Sequence, residues 1–429
     1  MAANKRIFLC LAHMSEAGLE QKYIKEAFDT NWVVPLGPNV NGFEKDLEDF
    51  VNGLTPNPSP EGKGLEKRVV ALSSGTAAVH LALINCGVKA GDEVCVQSFT
   101  FCASSHPITY LGATPVFIDS EKDSWNMDPE LLEQAILDRK AKTGKYPKAI
   151  VPVALYGMPY DIERIMAIAD KYGIPVIEDA AEGFGSRYKG HVLGTFGKYG
   201  VLSFNGNKMI TTSGGGALIC ADEEQKNKIM WYATQAREAY PYYQHEEIGY
   251  NYRLSNICAG IGRGQMAIVH DHIAHHKHVQ ALYADLLKDI PGVHLHQAPN
   301  ADYDANYWLC TVTVDPDVRI QGQENAYKET VKSAVGGAAG VIHQVDSPTT
   351  DCQPNDNIEA LRVFMLAHKI EARPVWKPMH KQPVYQDCPA YVNGVSEALF
   401  KIGMCLPAGP MVTDDDVRYI VQTIKEAIQ

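Results

Sequence analysis

From Val69 to about residue 237 the chain alternates short β-branched runs with stretches of helical period. Runs at 69–73, 93–97, 114–118, 148–154, 175–178, 200–204 and 216–220 read as strands. The stretches 75–86, 102–111, 129–141, 161–172 and 222–237 read as helices. A sheet whose strands are each followed by a helix must be covered on both sides. The rhythm therefore predicts an α/β fold with a mostly parallel central sheet and helices on both faces. It leaves room for antiparallel exceptions.

The pattern differs before and after this region. Gly18 to Asp29 reads as an amphipathic helix with Leu19, Tyr23, Ile24 and Ala27 on one face, and Gly42 to Gly53 as another. Thr55 to Lys67 is rich in Pro and Gly and is expected to be a surface insertion. Beyond Arg253, Asn256 to Asp289 reads as one or two long helices stopped before Pro291-Gly292. Strands at 307–314 and 371–376 follow, with helices at 325–334, 357–368 and 413–427. Ala334 to Gly340 and Ser347 to Asn357 read as irregular links. The expected division is a large α/β domain at 1–255 and a smaller C-terminal α+β domain at 256–429. A length of 429 residues is enough for both.

A formal net charge of −12 argues against a general partner for nucleic acid or anionic membranes. Ten scattered cysteines without a C-x-x-C pair fit reduced thiols in a cytoplasmic protein. The apolar piece Ile7 to Ala12 is too short for a signal peptide, and no run approaches a membrane span.

Three stretches carry chemistry. In Tyr199 to Leu218 an apolar run ends in Asn205-Gly206-Asn207, then Lys208, then a Gly-rich turn into a second apolar run. A lysine held between two buried strands sits partly out of water, which disfavours its ammonium form and suits imine formation with an aldehyde. Judged on this stretch alone, an exposed loop lysine is the more frequent outcome. In Val69 to Leu83 a strand stops at Ser73-Ser74-Gly75-Thr76 and a helix begins. Free N–H groups at a helix start, with a Gly for close approach, make an anion site. In Ile174 to Ser186 a buried strand delivers Glu178 and Asp179 at its carboxyl end, where ligands of open α/β sheets sit. Capping of a following helix is the alternative for Asp179. An anion cradle, an acid and an amine are what pyridoxal 5'-phosphate needs for its phosphate, its ring nitrogen and its aldehyde.

The order and wording of these motifs resemble the DegT-type nucleotide-sugar aminotransferases, a family of fold-type I pyridoxal-phosphate enzymes. The resemblance runs from Trp32-Val33-Val34-Pro35-Leu36-Gly37-Pro38 to Leu406-Pro407-Ala408-Gly409. Around Ser203-Phe204-Asn205-Gly206-Asn207-Lys208 it is nearest to enzymes that aminate UDP-2-acetamido-2,6-dideoxy-4-ketohexose in bacillosamine-type sugar biosynthesis. It implies that Lys208 carries the cofactor and shuttles a proton, and that Asp179 faces the ring nitrogen. It assigns Gly75, Thr76 and Ser203 to the phosphate and Phe101 to the ring face. Glu182 stands near the ring's phenolic oxygen, where many members have Gln; a protonated Glu could donate there. Gly249-Tyr250-Asn251-Tyr252-Arg253 resembles a loop that crosses a homodimer, with Asn251 reaching the neighbour's phosphate site and Arg253 lining the substrate entrance. Trp32, Lys377 and His380 match sugar-nucleotide contacts, and Tyr156 is a further wall residue. The implied reaction passes an amino group from an amino acid, L-glutamate by analogy, to C4 of a nucleotide-linked keto sugar by ping-pong kinetics.

The alternatives are a 3-aminotransferase or dehydratase on a dTDP- or GDP-linked keto sugar, and a non-catalytic regulator that binds the cofactor. Lys208 favours amination, because the dehydratases carry His there, and no basic helix-turn-helix extension supports a regulator. His270, His272, His275, His276 and His278 suggest metal, since His272 and His276 would share a helix face. No carboxylate–His pattern completes a site, so they are read as structural histidines, with no metal expected.

Overall fold

A computed structural model of the chain describes residues 5–53, 66–327 and 352–429. The expected insertion at 55–67, the helix at 325–334 and the link at Ala334–Gly340 lie wholly or largely outside the described residues, as do residues 347–351 of the link at Ser347–Asn357.

Strand periodicity sets the layers. Val69 and Ala71 face one core with Phe43, Phe50, Leu132 and Ile165, while Val70 and Leu72 face the other with Val79, Leu83 and Ile229. Period-two alternation thus puts apolar side chains on both faces of the same strand, and a helix layer covers each. Across the sheet the strands run Arg68–Leu72, Gly216–Cys220, Tyr199–Ser203 and Ile177–Asp179. Bridges at Ile150–Val176 and Val153–Asp179 continue it into Ile150–Val151, Glu93–Gln97, Thr114–Ile118 and Ala390–Tyr391. Gly216–Cys220 is antiparallel to both neighbours, whereas the other pairings are parallel. Its link to the preceding strand carries no helix to cross the sheet, so the chain turns back on itself.

Helix starts follow local chemistry. Asp128, Asp161 and Asp222 each accept backbone N–H bonds at the heads of Pro129–Thr143, Ile162–Tyr172 and Glu223–Ala233. The expected helix at 102–111 is instead a 3₁₀ turn, Cys102–Ser104, followed by a short helix, His106–Tyr110. Pro107 lacks an N–H, so the segment cannot continue as one helix and a new one starts around it.

A second sheet, ordered Val293–Leu295, Cys310–Val314, Gly403–Leu406 and Arg373–Pro374, is antiparallel throughout. Helices Val269–Leu287, Asp356–Ala367 and Asp414–Ala427 enclose a third core with it. Two segments cross the expected division at residue 255. Ile7 pairs with Ile370 and enters the third core, and Ala390–Tyr391 returns to the edge of the first sheet. Among the described residues no helix is long and apolar enough to cross a membrane.

Candidate active site

The carboxyl ends of the central strands open into a cavity of about 320 Å³. At one end helix Gly75–Asn85 begins. Ser74 is its cap, with its hydroxyl accepting from the Ala77 N–H at 3.0 Å. Among the described residues the N–H groups of Gly75 and Thr76 have no hydrogen-bond acceptor, and both residues line the cavity with Ser203. Free amides at a helix start attract an anion. The approach depends on glycine in the next strand: a Cβ on Gly216 would lie 2.4 Å from Gly75 N and from Ser74 C. A Cβ on Gly75 would press on Ser203 Cβ at 3.1 Å.

Strand Ile177–Asp179 delivers two buried carboxyls that point opposite ways. Glu178 accepts from the N–H groups of Gly194, Phe196 and Gly197 at 3.0, 2.6 and 2.7 Å, and so ties down a loop. Asp179 faces the cavity, accepting from Ser104 Oγ at 2.6 Å and from Ala181 N at 3.1 Å. No helix begins after it, so the capping alternative does not apply. Burial pushes its pKa up, against the hydrogen bonds and the positive charge of Lys208.

Lys208 enters from the turn between Tyr199–Ser203 and Gly216–Cys220, and its side chain is 12% exposed. Its Nζ lies 3.5 Å from Glu182 Oε1 and 4.0 Å from the centroid of the Trp308 ring. Trp308 fixes the turn by donating from Nε1 to Asn207 O at 2.6 Å. Glu182 Oε2 accepts from Tyr156 N at 2.7 Å. Burial pushes the Glu182 pKa up as well, opposed chiefly by Lys208.

Aromatic residues form the walls. Phe101 lines the cavity, remains 46% exposed, and has its ring 5.3 Å from that of Trp376. Tyr156 does not line the cavity. It is buried between Trp308 and Trp376, near-parallel to both at centroid distances of 6.4 and 6.2 Å, and its hydroxyl accepts from Trp376 N at 2.8 Å.

The structure thus gathers Lys208, Asp179, Glu182, Gly75, Thr76, Ser203 and Phe101 around one cavity. Six expected contacts lie outside its wall, Tyr156 among them. Arg253 is held within its own chain, its Nη1 donating to Glu44 Oε1 at 2.6 Å and to Ala71 O at 3.0 Å. Asn251 is exposed. Trp32 is exposed too, its carbonyl held by Asn256 Nδ2. His380 is half-buried against Ser98 Oγ at 2.7 Å, and burial pushes its pKa down. Lys377 is half-buried next to Trp376. The histidines of Val269–Leu287 separate: His272 meets Met209 O, His276 meets Tyr307 O and His278 meets Asp414. Among the described residues no group of three metal-ligating side chains occurs.

Three functional side chains escaped the sequence reading. Ser104 was hidden inside a presumed helix. Trp308 read as the start of a strand. Trp376 stood in a segment noted only for Lys377 and His380. The one available signal was that both tryptophans flank strands of the second sheet, Trp308 just before Cys310–Val314 and Trp376 just after Arg373–Pro374.

The donor set fits pyridoxal phosphate on the structure's own terms. Unpaired amides and hydroxyls lie at one end, a buried carboxyl beside them, and a mostly buried amine under an aromatic wall.

The sequence profile of the DegT/DnrJ/EryC1/StrS aminotransferase family matches residues 15–336 and 329–425. EpsN of Bacillus subtilis (strain 168), provisionally named a pyridoxal phosphate-dependent aminotransferase, is 41% identical over 425 residues, 98% of this chain and 95% of its own. The GDP-perosamine synthase of Escherichia coli O157:H7 is 31% identical over 412 residues, 96% of each chain. Among solved structures, a DegT DnrJ EryC1 StrS aminotransferase from Brucella abortus has a TM-score of 0.78 at 26% identity, covering 96% of this chain and 95% of that one.

Proposed function

The chain belongs to the DegT/DnrJ/EryC1/StrS family and is a pyridoxal-phosphate-dependent nucleotide-sugar aminotransferase; from that premise we propose the reaction and the residues that carry it. The reaction is transfer of the amino group of L-glutamate to C4 of UDP-2-acetamido-2,6-dideoxy-4-ketohexose. The observation that carries the reading is the meeting of Lys208, Asp179 and the Gly75–Thr76 helix start in one cavity.

When bound, pyridoxal phosphate supplies an aldehyde that takes up the amine and a ring that accepts the electrons freed at the donor carbon. The N–H groups of Gly75 and Thr76 and the Ser203 hydroxyl hold its phosphate. Asp179, fixed by Ser104, holds the ring nitrogen. Phe101 covers a ring face and excludes water. Lys208 Nζ takes a proton from the donor carbon and returns one on the other side of the transfer. The Trp308 ring beneath it restricts where that nitrogen can swing. Lys377, one residue past the cavity wall, meets the substrate diphosphate, with His380 behind it. Glutamate and keto sugar use the same cavity in turn, which makes the kinetics ping-pong.

Two chains act together as a homodimer, with Asn251 of each reaching toward the other's phosphate end. This accounts for its exposure in the single chain.

The test incubates purified protein with glutamate and UDP-, dTDP- and GDP-linked 4-keto and 3-keto sugars. Product mass and NMR identify the substrate and the ring position together. A 4-amino UDP sugar is expected, and Lys208→Ala should lower its formation by at least about a thousandfold. Amination only at C3, or only of a dTDP or GDP sugar, would overturn the substrate assignment.

A further inference from the structure

The charged pair Glu44–Arg253 lies outside the cavity and takes no part in the scheme above. Glu44 belongs to helix Pro38–Val51. Arg253 belongs to a stretch running beside the outer edge of strand Arg68–Leu72, bridged to it at Leu72. Glu44 Oε1 accepts from Ala71 N at 2.9 Å and from Arg253 Nη1 at 2.6 Å. The same Nη1 donates to Ala71 O at 3.0 Å. The two side chains therefore grip both polar backbone groups of one edge residue and close the ring between themselves. Each side chain is only 7% exposed, and Lys226 Nζ stands 3.9 Å from Glu44 Oε2.

The Leu254 N–H also reaches Ala71 O, at 3.4 Å, so a desolvated ion pair is a costly addition to an edge that backbone already borders. Its position suggests a more specific task. Ala71 precedes Gly75 by four residues. Immediately beyond the grip, Ser73 N donates to Tyr252 O at 2.8 Å. The strand end that releases Ser74 into helix Gly75–Asn85 is thus fixed from its outer side by Glu44, Arg253 and the Tyr252 carbonyl. On its inner side it rests against Gly216.

We propose that Glu44 and Arg253 are positioning residues for the phosphate end of the site: they hold the strand end, and with it the amides of Gly75 and Thr76, at the depth a bound phosphate requires. This rests on the cofactor reading given above. Arg253 acts through the backbone and touches no substrate.

The experiment compares binding of pyridoxal 5'-phosphate with binding of pyridoxal, which has the aldehyde and ring without the phosphate. Absorbance titration of the apoprotein reads both. A general loss of structure lowers both affinities together, while displaced amides lower only the first. For Arg253→Met and Glu44→Gln, pyridoxal phosphate affinity is expected to fall about tenfold with pyridoxal affinity unchanged. Arg253→Lys, which keeps the charge and loses the two-sided grip, is expected to fall less. Glu44→Gln retains an acceptor for Ala71 N and serves if Arg253→Met does not fold. Equal losses for both ligands, or no loss for either, would overturn the proposal. A wild-type protein binding both ligands equally well would instead remove the phosphate site, a failure of the cofactor reading that takes the grip with it.

Discussion

Glu182 sets the charge balance of the cavity. It shares the space with Asp179 and with one nearby cation, Lys208, whose Nζ is 3.5 Å away. Burial raises the pKa of both carboxyls. A raised folded pKa means that the folded chain prefers the protonated acid. That contribution to stability is complete below the ordinary carboxylate range and is lost as pH rises through the raised value. Glu182→Gln has no such proton to lose. The melting temperature of the wild-type apoprotein should therefore fall, relative to Glu182→Gln, as pH rises above the ordinary carboxylate range. A flat difference over that rise would show that Glu182 ionises without penalty. Replacing Ser104 by Ala tests the other carboxyl, since it removes the 2.6 Å hydrogen bond that favours the ionised form of Asp179. Burial is then less opposed, and pyridoxal phosphate affinity should drop about tenfold for one lost charge-assisted bond. Unchanged affinity would mean that Asp179 is held by other groups.

Among the elements, the Gly216–Cys220 strand decides whether the helix start can approach. A Cβ at Gly216 would meet Gly75 N and Ser74 C at 2.4 Å and Leu202 O at 2.7 Å, all backbone that cannot turn aside. Gly216→Ala should destabilise the chain by about 1–3 kcal/mol, followed by chemical denaturation. At Gly214, where an added Cβ meets nothing within 4 Å, the same change should stay within about 0.5 kcal/mol. Equal effects at both positions would mean that the helix start lifts away freely. The same elements show what a sequence can disclose. Gly75, Asp179 and Lys208 were legible because each sits at a strand end inside its own short motif, where periodicity and turn chemistry are local. Ser104 was not, because Pro107 divides a stretch whose apolar pattern reads as continuous helix. The Glu44–Arg253 contact was illegible for a different reason: the two residues are 209 apart in sequence, and only the folded sheet edge brings them together. Trp308 and Trp376 reach Tyr156 across comparable separations.

For the molecule as a whole, the unexplained surface is apolar. Phe28, Trp32, Val33, Val34 and Leu36 are all exposed within nine consecutive positions. Asn256 backs the segment through Trp32 O and through a bond from its own N–H to Val34 O. Exposed apolar clusters of this kind mark association surfaces. The double substitution Trp32→Glu with Leu36→Glu should convert dimers to monomers in sedimentation velocity. Under the proposed shared site, activity should fall together with association, since the neighbour would then lack Asn251. Monomers with full turnover would refute a shared site.

The two tryptophans that hold Tyr156 also line the cavity, whereas the other three of the five do not. Their emission therefore gauges occupancy without any label. Loading the site should dim the protein's ultraviolet fluorescence in proportion to the fraction filled, and Trp308→Phe should remove much of that signal. Titration and release could then be watched in real time by light alone.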